Sequence, residues 1–292
     1  MSAEQNTPLP APTPTELRSI ARHLARETAA VIRTRRAELT ARYDIREFTQ
    51  TKTSAVDPVT IVDTLAEETI VEALAQRRPQ DGIRGEEGSS KPSDSGITWI
   101  IDPIDGTVNF IYGLPHYAVS LGAAIDGKIV AGAVINVVTG LVYSAARGEG
   151  ATVEDSATGN KTVLRASQAD SPGRALLGTG FSYSAQRRGQ QAELLTEVLP
   201  QVRDIRRMGS AALDLCAIAE GRLDAYYEHG LHSWDWAAGA LIAEEAGAVV
   251  ELPPLSATGE EGIPVVAMAP GLVEGLGKIF DQLGVRGPIR GH

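Results

Sequence analysis

The sequence has few features that could form covalent cross-links or membrane spans. Its 292 residues include one cysteine, Cys216, which cannot form a disulfide within the chain. The apolar neighbours of Cys216 predict a buried thiol without a reactive role. No uninterrupted apolar run reaches membrane-spanning length, and the first residues lack the apolar core of a signal peptide. The sequence therefore predicts a soluble, cytoplasmic protein with no membrane partner.

Basic residues are in a minority as well. The chain has 27 Lys and Arg against 37 Asp and Glu, which gives a formal net charge of −10. Because a negative surface repels the phosphate backbone, we expect no nucleic-acid partner. A small phosphorylated substrate remains possible, since bound Mg²⁺ locally reverses the charge of a carboxylate site. With 43% hydrophobic residues, the chain can form one large domain or two closely packed halves.

Motifs of several common chemistries are missing. The sequence has no Gly-x-Ser-x-Gly nucleophile turn and no His-Glu-x-x-His zinc pattern. Gly159-Asn-Lys-Thr162 lacks the preceding glycine of a phosphate-binding loop, and Gly178-Thr-Gly180 lacks the third glycine of a dinucleotide fingerprint. These absences exclude a serine-triad hydrolase, a zinc hydrolase of that type and the usual nucleotide-binding cradles.

The most informative segment present is Trp99-Ile-Ile-Asp-Pro-Ile-Asp-Gly-Thr-Val-Asn-Phe110. Its apolar start predicts a strand that ends in a turn carrying Asp102 and Asp105. Gly106 and Thr107 follow at an expected helix start. Carboxylates are the hard oxygen ligands that Mg²⁺ prefers, and free N–H groups at a helix start suit a phosphate. Alone, the string would also suit an ordinary turn; with other segments it indicates metal-assisted phosphate chemistry.

Three other segments accompany it. They read Asp57-Pro-Val-Thr-Ile-Val-Asp63, Gly85-Glu-Glu87, and Trp234-Asp-Trp-Ala-Ala-Gly239 with Glu244-Glu-Ala-Gly247. In this order the four segments resemble the inositol monophosphatase family of Mg²⁺-dependent phosphomonoesterases, over about residues 15 to 280. The resemblance implies hydrolysis of inositol monophosphate to myo-inositol and phosphate, sensitivity to lithium, and a homodimer. It also implies a mixed α+β and α/β fold, the layered α/β/α/β/α sandwich of the inositol monophosphatase and fructose bisphosphatase type.

The resemblance also assigns roles to residues. One Mg²⁺ would be held by Glu86, Asp102 and the backbone carbonyl of Ile104, and a second by Asp102, Asp105 and Asp235. The nucleophile would be a water activated by the metal. Glu86 and Thr107 would orient and deprotonate this water, with Asp63 supporting Thr107 or a further, weaker metal position.

Substrate contacts follow in the same way. The phosphate would lie against the N–H groups of Gly106 and Thr107. The rest of the substrate would contact Asp105, Gly209, Ser210, Ala211, Glu228 and Asp235. Glu228 stands where family members that prefer inositol phosphates carry a glutamate. Two simpler interpretations stay open: Asp235 also suits a helix N-cap, and Glu228 also suits a surface carboxylate at a strand end.

Two alternatives to inositol monophosphate hydrolysis remain. The first is a related phosphatase of broader or different specificity, acting on fructose 1,6-bisphosphate, histidinol phosphate or adenosine 3′,5′-bisphosphate. The second is a non-catalytic regulatory protein on the same fold. The second is disfavoured because Glu86, Asp102, Asp105, Thr107 and Asp235 are all present.

Periodicity and turn residues predict the order of elements. We expect a disordered tail over residues 1–14, an N-terminal half over 15–160 that carries the metal motifs, and a C-terminal half over 161–292 that completes the site. Helices are predicted at about 15–41, after Asp63 up to Pro79, and at about 185–200, 210–220, 235–247 and 270–283. An antiparallel meander is predicted over 117–146, an irregular polar stretch over 147–173, and strands at 249–250 and 265–266.

Overall fold

The computed structural model describes residues 12–48 and 58–291. The helices in these ranges are α1 Pro14–Thr40, α2 Pro58–Arg77, α3 Thr107–Tyr112, α4 Ala185–Val198, α5 Ala211–Ala219, α6 Ser233–Glu245 and α7 Gly275–Leu283. The strands are β1 Gly82–Gly85, β2 Ser90–Lys91, β3 Ile97–Asp105, β4 Ala118–Ile125, β5 Lys128–Asn136, β6 Leu141–Ala146, β7 Ala151–Asp155, β8 Lys161–Val163, β9 Leu176–Thr179, β10 Asp204–Arg206, β11 Ala225–His229, β12 Val249–Glu251 and β13 Pro264–Met268.

The strands form two sheets. The first has eight strands in the order β2-β1-β3-β4-β5-β6-β7-β8, and only its β1–β3 pair is parallel within the described chain. The second has five strands in the order β10-β9-β11-β13-β12. Its β10–β9 and β9–β11 pairs are parallel, while β13 runs antiparallel to both of its neighbours.

Helices cover both faces of each sheet. Helices α1 and α2 pack on one face of the first sheet, and α5 and α6 lie between its other face and the second sheet. Helices α4 and α7 cover the far side of the second sheet. The resulting order of layers is α/β/α/β/α, which confirms the predicted sandwich.

Burial on both faces explains the composition of the central strands. In β3, Trp99 and Ile101 pack in the core beneath α1 and α2, whereas Ile100 packs in the core formed with α5 and α6. Successive strand residues point to opposite faces, so a strand covered on both sides has few polar positions. This is why β3 to β6 read as nearly continuous apolar runs.

Helix α6 lies close to the first sheet because its residues there are small. A Cβ on Gly132 of β5 would lie 2.9 Å from the Cα of Ala238, and one on Gly122 of β4 would lie 3.2 Å from the Cβ of Ala237. On the side of α5, a Cβ on Gly239 would lie 2.9 Å from the Cβ of Leu215. These contacts fix α6 tightly between the layers and thereby fix the residues at its N-terminus.

Most predicted elements are confirmed, and several boundaries were wrong. The meander over 117–146 is present as β4, β5 and β6, and the helices at 185–200, 210–220 and 235–247 are α4, α5 and α6. The second helix begins at Pro58, not after Asp63, and α1 begins at Pro14, inside the predicted tail. The final helix begins at Gly275, after a single 3₁₀ turn at Pro270–Leu272.

The predicted irregular stretch over 147–173 was wrong in part, because it contains β7 and β8. Thr152, Val153 and Glu154 pair with β8, so the short strands are held by their neighbours rather than by an apolar pattern of their own. The division into two halves stays a prediction, and we propose to place it after β8, which pairs in the first sheet. Asp57 and most of the predicted tail lie outside the described residues. None of the described helices is both long and apolar enough to span a membrane.

Candidate active site

A cavity of about 520 Å³ collects most of the residues that the sequence singled out. This volume lies within the range of small-molecule sites. Its walls include the predicted residues Glu86, Asp102, Ile104, Asp105, Gly106, Thr107, Gly209, Ala211, Glu228 and Asp235. Two predicted residues are not in its described walls: Ser210 lies behind Asp105, and Asp63 lies on the buried face of α2.

An irregularity in β3 brings Asp102 and Asp105 into one cavity. Residues three apart in a regular strand point to opposite faces. Here Asp102 pairs with Ser120 and Asp105 pairs with Ala118, so β3 has one residue more than β4 in this interval. The extra residue has the effect of a β-bulge, which turns the later side chain toward the other face. The strand therefore continues through Asp105, where the sequence predicted a turn.

Helix α3 begins directly after this strand. Gly106 is its N-cap, in the left-handed conformation with φ of 92°. A Cβ on Gly106 would lie 3.1 Å from the carbonyl oxygens of Gly209 and His116, so both conformation and space require glycine. The Thr107 hydroxyl donates to the Ile104 carbonyl at 3.0 Å. Gly106 and Thr107 thus form the predicted helix start at the cavity wall.

Asp105 is held by the start of α5. Its Oδ2 accepts hydrogen bonds from the Ser210 hydroxyl at 2.6 Å and from the Ala212 N–H at 2.7 Å. Burial raises the pKa of Asp105 to about 7, even though these two hydrogen bonds favour the charged form. Nearby Asp214 and Glu86 raise it further by repulsion. Among the described residues, the charged form of Asp105 therefore lacks a positively charged partner that would stabilise it.

Asp235 enters the cavity from the N-terminus of α6. The helix begins at Ser233, so Asp235 is its third residue and not the N-cap that the sequence allowed. Its Oδ2 accepts the His232 N–H at 2.7 Å, and the His232 ring stacks on Trp234 with centroids 4.6 Å apart. Burial, followed by repulsion from Asp105 and Glu86, raises the pKa of Asp235 well above its usual range.

Glu86 follows β1, and its N–H donates to the Ile101 carbonyl at 3.1 Å. The loop after it is fixed by a residue that the sequence did not single out. Glu67 of α2, only 2% exposed, accepts hydrogen bonds from the N–H groups of Glu87 at 2.9 Å and Ser89 at 2.8 Å. The signal for Glu67 is a glutamate on the same helix face as buried Ile70 and Leu74.

The environment of Asp102 indicates whether the carboxylates of the cavity suit a cation. It is 1% exposed, and its Oδ1 has no hydrogen-bond partner in the described part of the chain. Burial, then repulsion from Glu86, Asp105 and Asp235, raises its pKa well above the usual range. An orphaned buried carboxylate oxygen among other carboxylates fits a hard cation such as Mg²⁺.

The side chains are not arranged as a finished cation site, however. Within residues 12–48 and 58–291, no three His, Cys, Asp or Glu side chains are grouped so that they could hold a metal ion. Two of the cavity carboxylates instead accept hydrogen bonds from the protein: Asp105 from Ser210 and Asp235 from His232. The donor chemistry therefore fits Mg²⁺, whereas binding would require these side chains to adjust.

Glu228 lies in the cavity wall at the end of β11. The buried Tyr226 hydroxyl donates to its Oε2 at 2.6 Å. Burial raises the pKa of Glu228 to about 7; Tyr226 opposes this shift and Asp214 adds to it. The carboxyl group can therefore exchange hydrogen bonds with a polar ligand, and a simple exposed strand-end carboxylate does not describe it.

Two further residues connect the elements of the site without having been predicted for it. Asn109 Nδ2 donates to the carbonyls of His116 at 2.7 Å and Met208 at 2.8 Å, which ties α3 to the segment before α5. Asp214 of α5 is 1% exposed and lies 3.4 Å from His116 Nε2. Asn109 stands in the central motif, but its partners are distant in sequence and carry no local signal.

Comparison with known proteins places this geometry in context. Residues 13–283 match the model of the inositol monophosphatase family. The inositol-1-monophosphatase SuhB of Mycobacterium tuberculosis is 54% identical over 272 residues, which are 90% of this chain and 92% of that protein. A solved structure of Mycobacterium tuberculosis SuhB matches with a TM-score of 0.80 at 50% identity, covering 94% of this chain and 98% of that one. A relative from Pseudomonas aeruginosa, 42% identical over 67% of this chain and 72% of its own length, is named Nus factor SuhB.

Proposed function

Because this chain belongs to the inositol monophosphatase family, we propose that it is a Mg²⁺-dependent phosphatase that hydrolyses inositol monophosphate to myo-inositol and phosphate. The observation that carries the proposal is the gathering of Glu86, Asp102, Asp105 and Asp235 around one cavity. These carboxylates come from three separate segments, and three of them have pKa values raised chiefly by burial. So much uncompensated negative charge favours a divalent cation as the missing partner.

We assign the cation ligands as the family resemblance implies. Glu86, Asp102 and the Ile104 carbonyl would hold one Mg²⁺, and Asp102, Asp105 and Asp235 a second. When bound, Mg²⁺ would neutralise charge on the phosphoryl oxygens and lower the pKa of the attacking water. The contribution of Asp235 from α6 would then join the C-terminal part of the chain to the strand end of β3.

The chain's own residues supply positioning and proton transfer. The Thr107 hydroxyl, which donates to the Ile104 carbonyl, and the Glu86 carboxylate would orient the attacking water and accept its proton. Asp63 would support Thr107 or a further, weaker metal position. The N–H groups of Gly106 and Thr107 at the start of α3 would bind phosphate oxygens, as helix starts commonly do.

The polyol would be recognised at the other predicted positions. Glu228, with a pKa of about 7, would accept hydrogen bonds from ring hydroxyls. Gly209 and Ala211 line the cavity and would contact the ring, while Ser210 holds Asp105 in place. This arrangement favours an inositol phosphate over histidinol phosphate or adenosine 3′,5′-bisphosphate.

The second candidate is a regulatory role without catalysis, which the name of the Pseudomonas aeruginosa relative supports. The complete set of carboxylates favours catalysis, since a binding module would not need them all. We further propose a cytoplasmic homodimer that is inhibited by lithium, as the family resemblance implies, without a nucleic-acid or membrane partner. Light scattering at micromolar concentration would test the dimer.

The deciding experiment measures phosphate release from inositol 1-phosphate in Mg²⁺, in EDTA, and with the variant Asp105→Asn in Mg²⁺. We expect turnover in Mg²⁺ only, and a loss of at least about 1000-fold in the variant because a charged ligand is removed. No release from inositol 1-phosphate or from a panel of sugar and nucleotide phosphates would overturn the enzymatic proposal and favour the regulatory one.

A further inference from the structure

A segment that does not line the active-site cavity nevertheless contacts its wall from behind. This segment, residues 285–291, follows α7 and is called the C-terminal strap below. It lies after the family match, which ends at residue 283. None of its residues is in the described cavity wall, but it contacts Arg187, His229 and Glu260, which are. The strap therefore supports part of the wall without facing a ligand.

Arg286 anchors the start of the strap. Its Nε and Nη2 donate to the two carboxylate oxygens of Glu251 in β12, at 2.7 and 2.6 Å. Its Nη1 donates to the Gly277 carbonyl and to the Asp281 carboxylate of α7, both at 2.7 Å. The hydrogen bonds from Glu251, more than those from Asp281, raise the pKa of Arg286. Two-point pairing of a guanidinium with a carboxylate is strong, so this end of the strap is held firmly.

The first residue of the strap holds the end of β11 through His229. The ring of His229 is 2% exposed, and its Nε2 lies 2.8 Å from the Val285 carbonyl oxygen. Because a carbonyl oxygen can only accept, Nε2 carries the hydrogen of this bond. Burial lowers the pKa of His229 to about 4, so the ring is neutral at pH 7. The bond fixes the strand beside Glu228, the proposed contact to the polyol.

The rest of the strap holds the 3₁₀ turn Gly259–Glu261 at the cavity wall. The Ile289 N–H donates to the Gly262 carbonyl at 3.0 Å, and the Gly291 N–H donates to the Glu260 carbonyl at 3.4 Å. A Cβ on Gly262 would collide with the Ile289 carbonyl, so the strap and the turn are in direct contact. The first two residues of the turn line the cavity.

The last residue of the strap also packs against Arg187 of α4. The guanidinium donates through Nη2 to the Glu260 carbonyl at 2.9 Å. Burial lowers the pKa of Arg187, and attraction by the Glu260 carboxylate opposes this shift. A Cβ on Gly230 would collide with Nη1, and one on Gly291 would lie 2.7 Å from Nη2. Two glycines thus form a slot for the guanidinium, and one side of the slot belongs to the strap.

We infer that the C-terminal strap is a positioning element of the active site, which holds the Gly259–Glu261 turn and Arg187 in the cavity wall and thereby sets the affinity for substrate. The inference rests on the proposed function for the identity of that substrate. A wall that is fixed before binding loses less conformational entropy when the substrate binds. The strap touches no reacting group, so its loss should weaken substrate and transition-state binding alike. This predicts a higher KM with little change in kcat.

Hydrogen–deuterium exchange without Mg²⁺ or substrate measures whether the strap holds the wall. Arg286→Gln removes the anchor, and Arg290→Gln removes the same charge from an exposed position of the strap. We expect Arg286→Gln to speed exchange at least about tenfold in the strap and at the Glu261 and Gly262 amides, because local opening becomes easier. Arg290→Gln should keep the rates of the wild type.

Steady-state kinetics with inositol 1-phosphate in saturating Mg²⁺ then tests the effect on substrate binding. We expect Arg286→Gln to raise KM about 5- to 20-fold and to leave kcat within about threefold of the wild type. Arg290→Gln should change neither constant. If Arg286→Gln does not fold, Gly291→Val disturbs the other end of the strap, because its side chain would enter the slot of Arg187. The same rise in KM is expected, and melting curves would establish that each variant is folded.

Unchanged exchange of the turn in a folded Arg286→Gln protein would overturn the inference. Faster exchange with an unchanged KM would also overturn it, since the strap would then be a structural element only. The exchange measurement needs no turnover. A wild type that hydrolyses nothing, together with faster exchange in Arg286→Gln alone, would therefore refute the proposed function and still support the strap as the element that positions this wall.

Discussion

Buried carboxylates lie near both ends of β3, and only near one end do hydrogen-bond donors outweigh the effect of burial on their pKa. Beside its beginning lies Asp81, the residue before β1, which is 2% exposed and accepts hydrogen bonds from Arg78, from the Ser95 hydroxyl at 2.7 Å and from Trp99 Nε1 at 2.9 Å. Burial alone would raise the pKa of Asp81, but these donors outweigh it and lower the pKa. At its end, Asp102 has an orphaned oxygen and a raised pKa.

The difference shows where the fold satisfies its own charges and where it does not. Asp81 has a guanidinium, a hydroxyl and an indole N–H, so its carboxylate stabilises the native state. Asp102 has other carboxylates as neighbours, so its charge destabilises the chain until a cation is bound. A functional site is a place where such destabilisation is retained. The comparison makes predictions that a stability measurement and an activity measurement can separate.

The largest effect is expected for Asp102→Asn. Turnover should fall at least about 1000-fold, because the variant loses a carboxylate that would contact both cations. In EDTA at pH 8, the same variant should be more stable than the wild type by about 2 kcal/mol. The amide needs neither a buried charge nor an unfavourable proton, whereas Asp102 needs one of them. Phosphate release and urea unfolding are the measurements.

With Mg²⁺ present the order of stability should reverse, because ligand binding stabilises the native wild type. An Asp102→Asn protein that is less stable than wild type in EDTA would show that Asp102 is a structural residue like Asp81. Asp105→Asn serves as a second case, with a smaller gain in stability because Ser210 and Ala212 already donate to that carboxylate.

The residues near both ends of β3 show which features of the site could be predicted from the sequence and which could not. The motif around Asp102 and Asp105 indicated carboxylates and a helix start from residue type and spacing alone. The bulge that turns both side chains into one cavity was not predictable, because it depends on the pairing with β4. Asp81 was not singled out, because Ser95 and Trp99 meet it only after folding and the Arg78 spacing of three residues is common on surfaces.

The same reasoning explains other successes and failures. The meander from β4 to β6 was predicted because Gly and Asp mark its turns and apolar residues fill its strands. Strand β7 and the edge strand β8 were missed because both are short, β7 is only partly buried and β8 is exposed.

The next largest effect is expected for Asp81→Asn, at the structural end. Breaking the buried pair with Arg78 should lower the free energy of unfolding by about 3 kcal/mol. Turnover of the folded protein should stay within a fewfold of wild type. Asp44→Asn is the matched control: Asp44 forms an ion pair with Arg46 at 2.7 Å, but it lies on the surface, where we expect no measurable change. Equal losses in both variants would contradict the burial argument.

The pH dependence of stability should also differ in sign between the two regions. Glu228 has a pKa of about 7 in the native state and near 4.5 when unfolded, so the native state holds the extra proton in that interval. Its contribution to stability is complete below about pH 4.5 and is lost as the pH rises toward 7. For Asp81, whose pKa is lowered, stability is instead lost on acidification below its unfolded value.

Urea unfolding in EDTA across pH 3 to 8 would measure both slopes. Glu228→Gln should reduce the fall between about pH 4.5 and 7 by about 2 kcal/mol, an amount discounted for partial exposure of the carboxyl group. Asp81→Asn should leave that interval unchanged and should flatten the acidic limb. A Glu228→Gln curve that is parallel to the wild type throughout would remove Glu228 from the set of strained carboxylates.

The smallest predicted effect concerns Glu67, which combines the properties of both regions. Its carboxylate is buried and hydrogen-bonded like that of Asp81. Its two donors, however, are the N–H groups of Glu87 and Ser89, which belong to the loop after Glu86. Glu67→Gln keeps the shape but presents one amide NH₂ to a backbone donor, so one of the two bonds is lost. We expect about a tenfold loss of kcat/KM, about 1.4 kcal/mol, and a higher Mg²⁺ concentration for half-maximal activity.

Glu68→Gln, an exposed neighbour on α2, should change neither quantity. A purely structural role for Glu67 would lower the melting temperature without moving the Mg²⁺ dependence, and a shift in that dependence would show that a satisfied carboxylate in α2 positions an unsatisfied one at the cavity.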